Sequence, residues 1–186
     1  MFGELIVNIL PFSIQLEMYR VKGKRREFQY SQVVDHAVPL SDLEDSNVLE
    51  LANVIRDFIN RGRFKRGRVH IIISDSENDI LFENLDYEID NVKAIKKMLP
   101  MDVADLGETY NEYNYKYIIK DSRAFVLFAD KTMVARLSNL NVGNSWDIHS
   151  ILPIHAVYGN LVEKDGVVLE LGDSEFRLFY FKDGLL

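Results

Sequence analysis

Apolar residues along this chain follow two alternating rhythms, and the alternation predicts an α/β protein. Leu5-Ile6-Val7-Asn8-Ile9-Leu10 is a short apolar run. Ile14, Leu16 and Met18 then alternate with Gln15 and Glu17 up to a turn around Gly23. Phe28, Tyr30 and Val33-Val34 carry the pattern to Pro39. Three strands joined by two turns are the simplest account. The period then lengthens: Val48, Leu49, Leu51, Ala52, Ile55, Phe58 and Ile59 recur at helical spacing, with Asp45 or Ser46 placed to cap the start and Gly62 past the end. Val69-His70-Ile71-Ile72-Ile73 reads as a buried strand suited to lie parallel to the first.

Ser74 to Glu83 is polar around Ile80-Leu81-Phe82, which predicts a loop entering an edge strand. Asp90 or Asn91 is placed to cap a helix with Val92, Ile95, Met98 and Leu99 on one face, and Pro100 is expected to stop it. Tyr110, Tyr113, Tyr115 and Tyr117 run into Ile118-Ile119, a strand whose alternate aromatics suit sheet-face packing better than a stacking platform. Ala124 to Phe128 follows an Asp121-Ser122 turn, and Asp130 is placed to cap a helix holding Met133, Val134 and Leu137 inward. A further helix is expected from Pro153 to Tyr158, since proline is tolerated in a first turn. Val167 to Leu171 and Phe176 to Phe181 form a hairpin-like pair before a turn at Lys182-Asp183-Gly184. A sheet ending there would expose an unpaired edge, so the expectation is a chain that was cut or that continues into a linker.

Composition narrows the class. A chain of 186 residues suits one domain or two small lobes, and 47% hydrophobic residues can fill a core. No run approaches ~20 apolar residues, so no membrane-spanning helix is expected. Glu4 and Pro11 interrupt the apolar start, which argues against a signal peptide. The absence of cysteine excludes disulfides, thiol nucleophiles and thiolate metal sites. A net charge of −7 argues against a general nucleic-acid binder. The cations are nevertheless clustered: Lys22, Lys24, Arg25 and Arg26 form one group, and Arg61, Arg63, Lys65, Arg66 and Arg68 another. Two readings follow. Both are solvated turns, or they form a docking surface for an anionic partner or membrane head groups. A surface adaptor for RNA or membrane using Arg61 to Arg68 would lose salt-sensitive binding when Arg63, Lys65, Arg66 and Arg68 become alanine.

Catalytic motifs are scarce. His36, His70, His149 and His155 are scattered, and His70 on a buried strand is expected to be structural. No serine sits in a glycine elbow, and neither phosphate-loop fingerprint, Gly-x-x-x-x-Gly-Lys nor Gly-x-Gly-x-x-Gly, is present. Two strand–turn–strand segments stand apart: Asn8 to Gln15, and Leu169 to Leu178. Actin-like ATPases hold phosphates with such paired hairpins, usually Asp-x-Gly followed by small hydroxyl residues. The acid organises magnesium and its waters, and the glycine lets backbone N–H groups approach the phosphates.

The succession of elements, with these two hairpins at either end, resembles the actin-like assembly-platform proteins of type IV pili and type II secretion. These are the PilM-like proteins and the cytoplasmic domain of the GspL-like proteins. The resemblance covers most of the chain. It implies an actin-like (ribonuclease H-like) lobe with an inserted α+β subdomain. Residues 1–73 and 143–160 would form the first-lobe core, 74–142 the insertion, and 161–186 the start of a second lobe or a closing hairpin. In the PilM-like pattern the first hairpin begins Asp-Ile-Gly-Ser. Here Asn8 takes the acid position and Leu10 the glycine position, Pro11 and Phe12 replace small residues, Ser13 survives, and Gln15 stands for the expected lysine. In the second hairpin Glu170, Gly172 and Ser174 fit, but Asp173 and Glu175 add charge that repels phosphate.

What the resemblance implies, with these departures, is a protein that is not an enzyme and needs no cofactor. The alternative is a weak Mg-ATP binder using Ser13, Glu170, Gly172 and Ser174. The implied role is a platform at the bacterial inner membrane, on the cytoplasmic side. It would join an assembly ATPase to the cytoplasmic tail of an inner-membrane partner. Such tails resemble Asn-Leu-Leu-Pro, and Asn8-Ile9-Leu10-Pro11 looks similar; its strand context accounts for it.

Overall fold

The computed structural model describes residues 2–10, 12–35, 45–74, 80–106, 111–143, 145–159, 162, 165–171 and 176–182, with the side chains of residues 45, 46 and 171 excepted. In chain order the elements are β1 (Phe2–Ile9), β2 (Ser13–Lys22), β3 (Arg25–Asp35), α1 (Asp45–Arg61), β4 (Arg66–Ile73), β5 (Ile80–Asp86), α2 (Val92–Asp105), β6 (Tyr113–Lys120), β7 (Arg123–Asp130), α3 (Lys131–Ser138), β8 (Trp146–Pro153), α4 (Ile154–Gly159), β9 (Gly166–Leu171) and β10 (Phe176–Phe181). They divide into two compact units, Met1–Asp75 with Ala135–Leu186, and Ser76–Val134.

The first unit is built on a five-stranded sheet of order β3-β2-β1-β4-β8. β1, β2 and β3 are antiparallel neighbours, and β4 and β8 run parallel to β1. The β2–β3 turn places Gly23 at φ 61, a left-handed conformation that glycine adopts without a side-chain clash. Cross-strand register puts Leu5, Val7 and Ile9 beside Met18, Leu16 and Ile14 on one flank and Val69, Ile71 and Ile73 on the other. All nine are buried. Tyr30, paired with Met18, ties α1 to this face: its hydroxyl donates to the Phe58 carbonyl at 3.4 Å, and the two rings lie 4.8 Å apart. Leu51, Ile55 and Phe58 of α1 are correspondingly buried. The capping groups expected at Asp45 and Ser46 lie outside the described side chains, as does His36.

At the start of the sheet two glycines make room for the one tryptophan. A Cβ on Gly3 would lie 2.7 Å from the Trp146 ring, and one on Gly67 would lie 2.3 Å from the Gly3 carbonyl oxygen and 2.4 Å from the ring. The indole thus lies against the backbone of the β1–β4 pair.

Two expectations need correction. The segment before Pro153 is strand β8, and Pro153 ends that strand instead of opening the helix, which begins at Ile154. A bulge explains why alternation did not show it. Val69 pairs with Ile148 but His70 pairs with Ser150, so His149 is an extra residue. The residues sharing one face then fall at 146, 148, 151 and 153, which is neither period. Proline is tolerated because β8 is an edge strand of this sheet.

The second correction is Pro100, which lies inside α2; the helix continues to Asp105. Ile95, Leu99 and Val103 form an unbroken buried stripe on both sides of it, so packing outweighs the hydrogen bond that proline removes. Asn91, one of the two expected caps, accepts from the Lys93 and Ala94 N–H groups at 3.0 and 3.3 Å.

The second unit is an antiparallel sheet of order β5-β7-β6. Ala124, Val126 and Phe128 of the central strand pack with Ile95, Leu99 and Val103 of α2. The tight turn between β6 and β7 uses Asp121 at φ 53, and Asp130 caps α3 by accepting from Met133 N–H at 2.7 Å. The tyrosine strand is only partly packed: Tyr113 joins the core, whereas Tyr115, Tyr117 and Ile118 are exposed, and Tyr110 lies outside the described residues.

One polar tie fastens α2 to its surroundings. The Tyr87 hydroxyl donates to Asp102 Oδ2 at 2.6 Å. Burial, and then the Asp102 hydrogen bond and charge, push the Tyr87 pKa up to about 12. The fold favours the neutral phenol, so this contribution is complete below pH 10 and is lost as pH rises from 10 through about 12. The difference between ultraviolet titrations of the protein and Tyr87→Phe should show a phenol ionising near 12; one ionising near 10 would refute it.

Among the described residues no helix is long and apolar enough to cross a membrane.

Candidate functional site

The β1–β2 turn and the β9–β10 ribbon are where the sequence places a phosphate site. At the first, Ile9 pairs with Ile14, and Leu10 N–H donates to the Ser13 carbonyl at 2.9 Å. That N–H closes the turn and is not offered to a ligand. Pro11 supplies no N–H, and Phe12 is exposed at the tip. Asn8 faces Gln15 across the strands, its Nδ2 donating to Gln15 Oε1 at 3.5 Å. An amide and an amide thus occupy the positions where an acid and a lysine are expected. Ser13 keeps its hydroxyl at the first residue of β2.

β9 and β10 pair so that Glu170 stands directly opposite Arg177. Glu170 Oε2 is buried and has no hydrogen-bond partner among the described residues. Gly172 and Ser174 lie outside the described residues. The ribbon has two unlike faces. Val167, Leu169, Leu178 and Tyr180 lie on one, all exposed. Phe179 and Phe181 lie on the other, buried with Ile154 of α4.

This inner face is what brings the two hairpins together. Leu10 and Ile72 pack against the Ile154, Phe179 and Phe181 cluster, as do Tyr158, Val162 and Val168. The Tyr158 and Phe179 rings meet edge to face at 5.4 Å. The residue at the glycine position of the first hairpin is therefore one of those that pack against the cluster holding the second. The sequence identifies Leu10 as bulk; it does not identify Ile154, Phe179 and Phe181 as the cluster against which it packs.

Magnesium and a nucleotide triphosphate would need an acidic group, free backbone donors and space. At the first hairpin the described residues supply an amide at position 8, a donor already used at position 10, and an apolar cluster beside it; at the second, Glu170 is an acidic group, and Gly172 and Ser174 lie outside the described residues. The first hairpin does not fit that group. Among the described residues no three His, Asp or Glu side chains gather as a metal site.

On the face of the sheet opposite α1, His70 has partners that its sequence context did not suggest. Its Nδ1 lies 2.8 Å from Ser150 Oγ, and its ring meets His149 edge to face at 5.2 Å. Burial is the main cause holding the His70 pKa below its usual value. The bulge that hid β8 also puts His149 there.

The basic groups fall elsewhere. Arg61 Nη1 donates to Gln32 Oε1 at 2.8 Å, and the Arg68 guanidinium lies 5.6 Å from the centre of the Phe2 ring. Arg63, Lys65 and Arg66 are exposed in the α1–β4 connection and the first residue of β4.

No protein-family model and no curated protein matches this sequence. Solved structures do match in shape. The cytoplasmic domain of EpsL, an inner-membrane component of the type II secretion system of Vibrio cholerae, aligns at 12% identity and TM-score 0.56, covering 97% of this chain and 71% of that one. A chain of the PilM–PilN type IV pilus biogenesis complex aligns at 13% identity and TM-score 0.63, covering 97% of this chain and 58% of that one. A Bacteroides thetaiotaomicron protein described as having an actin-like ATPase fold and unknown function aligns at 13% identity and TM-score 0.47, covering 98% and 66%. This chain spans about three fifths of its PilM–PilN match and about seven tenths of EpsL's cytoplasmic domain. With its mixed sheet of order β3-β2-β1-β4-β8, the chain has the actin-like fold and is similar in structure to these secretion and pilus proteins.

Proposed function

We propose that the chain is a non-enzymatic platform domain of a type IV pilus or type II secretion machine. It holds an assembly ATPase and the cytoplasmic tail of an inner-membrane partner on the cytoplasmic side of that membrane. In this reading residues 1–73 and 143–160 are the first-lobe core, 74–142 the inserted subdomain, and 161–186 the start of a second lobe or a closing hairpin. The observation that carries it is the packing of Leu10 against the cluster of Ile154, Phe179 and Phe181, which sets apolar side chains beside the first hairpin. A fold kept while its phosphate contacts are replaced retains surfaces for other proteins.

Two measurements test this reading. Pull-down of candidate assembly ATPases and membrane-partner tails from the same genome should yield a specific partner; failure with every candidate refutes the platform. Calorimetry with Mg-ATP should give no heat of binding. A micromolar dissociation constant would favour the alternative, an ATP-binding protein, for which the unpartnered Glu170 carboxylate oxygen is the supporting observation.

A further inference from the structure

The two basic clusters are about forty residues apart in sequence, yet the sheet brings them to one end. β1 and β4 are parallel and start together: Phe2 pairs with Arg66 and Glu4 with Arg68. β2 ends at that same end, because Gly3 pairs with Arg20. The β2–β3 hairpin therefore turns there, with Lys22 paired to Arg25 and Val21 to Arg26. The α1–β4 connection, carrying Arg63 and Lys65, leads into it. The Leu10–Ser13 turn lies at the opposite end of β1.

Neutralisation at this rim is incomplete. Arg26 pairs with Glu4, and Lys22 with Glu27 at 3.1 Å. Asp147, paired in register with Arg68, is the third carboxylate on these strand ends. Lys24, Arg25, Arg63, Lys65 and Arg66 are exposed and have no carboxylate partner among the described residues. In a chain of net charge −7 this is a strong local excess of positive charge. Phe28 adds an apolar side chain at the same rim: it is 56% exposed, with Tyr19 beside it at 5.8 Å.

We infer that this rim docks on an anionic lipid surface. The cations come from a hairpin turn, a connection and strand starts, so they can meet a plane of head groups together, and Phe28 can enter the interface. The chain's net charge of −7 disfavours contact of any other face with an anionic surface, so the rim is the face that meets the membrane, and the exposed Phe28 favours a lipid interface that its ring can enter. Bound this way, the Leu10–Ser13 turn points away from the lipid. This inference does not depend on the platform reading, and either can fail alone.

The test is sedimentation of the 186-residue chain with vesicles of phosphatidylglycerol and phosphatidylcholine, against pure phosphatidylcholine. Binding to the anionic vesicles only, and its loss in high salt, is expected. Lys24→Ala with Arg25→Ala, and separately Arg63→Ala with Lys65→Ala and Arg66→Ala, should each weaken partitioning about tenfold or more. Lys24→Arg should keep it. All these side chains are exposed, so thermal unfolding should be unchanged, which separates lost binding from lost folding. The inference is overturned by absence of binding at low salt, or by dependence on one cluster only. It is equally overturned if polyglutamate or a single-stranded oligonucleotide displaces the vesicles at equal charge.

Discussion

Gly67→Ala should cost about 3 kcal/mol of stability in the first unit. The added methyl would sit 2.3 Å from the Gly3 carbonyl oxygen, and 2.4 Å and 2.6 Å from two carbons of the Trp146 ring. A ring can tilt, but a carbonyl in a ladder cannot leave without its strand. β1 is the central strand of this sheet and β4 joins it to β8, so separating them disturbs the core on both sides. Gly3→Ala is the control. Its Cβ would meet side-chain atoms of Trp146 and Phe64 at 2.7 and 3.1 Å, which can shift, and a cost of about 1 kcal/mol is expected. Urea unfolding followed by Trp146 fluorescence measures both. Equal costs for the two glycines, or a Gly67→Ala cost below about 0.5 kcal/mol, would contradict the carbonyl clash. Adding Trp146→Ala, followed by circular dichroism, should not rescue Gly67→Ala, because the backbone oxygen remains.

Phe181→Ala should cost about 3–5 kcal/mol, the range for emptying a buried aromatic site. Phe181 is 1% exposed, and with Ile154 and Phe179 it forms the cluster on which the β9–β10 ribbon rests. A two-stranded ribbon is marginal by itself, so losing this contact should release it from the sheet. The visible sign would be faster proteolysis within Gly166–Phe181. Leu10→Ala, on the other wall of the same cluster, should cost about 2 kcal/mol and speed the same cleavage. The two variants share partners, so the double variant should cost less than the sum. Additive costs would show that Leu10 and Phe181 do not belong to one packed unit, and would remove the main support for a filled phosphate site.

Local signals in the sequence were legible wherever they were also local in space. The alternation of Leu5 to Ile9 and Ile14 to Met18, the Gly23 turn, and the caps at Asn91 and Asp130 all appear in the structure as the residues imply. Features set by distant partners were not. β8 escaped because His149 is an extra residue in its ladder, and a bulge destroys the periodicity by which strands are recognised. Pro100 misleads because its backbone chemistry is local, while the stripe of Ile95, Leu99 and Val103 that overrides it is held by Ala124, Val126 and Phe128 of β7, which lie later in the chain. At the candidate site, Asn8 and Leu10 stand in the sequence where the resemblance expects an acid and a glycine. That Leu10 instead packs against the cluster of Ile154, Phe179 and Phe181 depends on the three-dimensional path of some 170 residues. The convergence of Lys24 with Arg66 likewise depends on strand register, which neither cluster encodes alone.

Trp146 lies in one of the two compact units, against the glycines of the β1–β4 pair, and the chain has no other tryptophan. Its emission is therefore a private witness. If the Ser76–Val134 unit melted first, the indole would stay in its place and the signal would stay flat. A transition that occurred in two steps would be recorded optically as one.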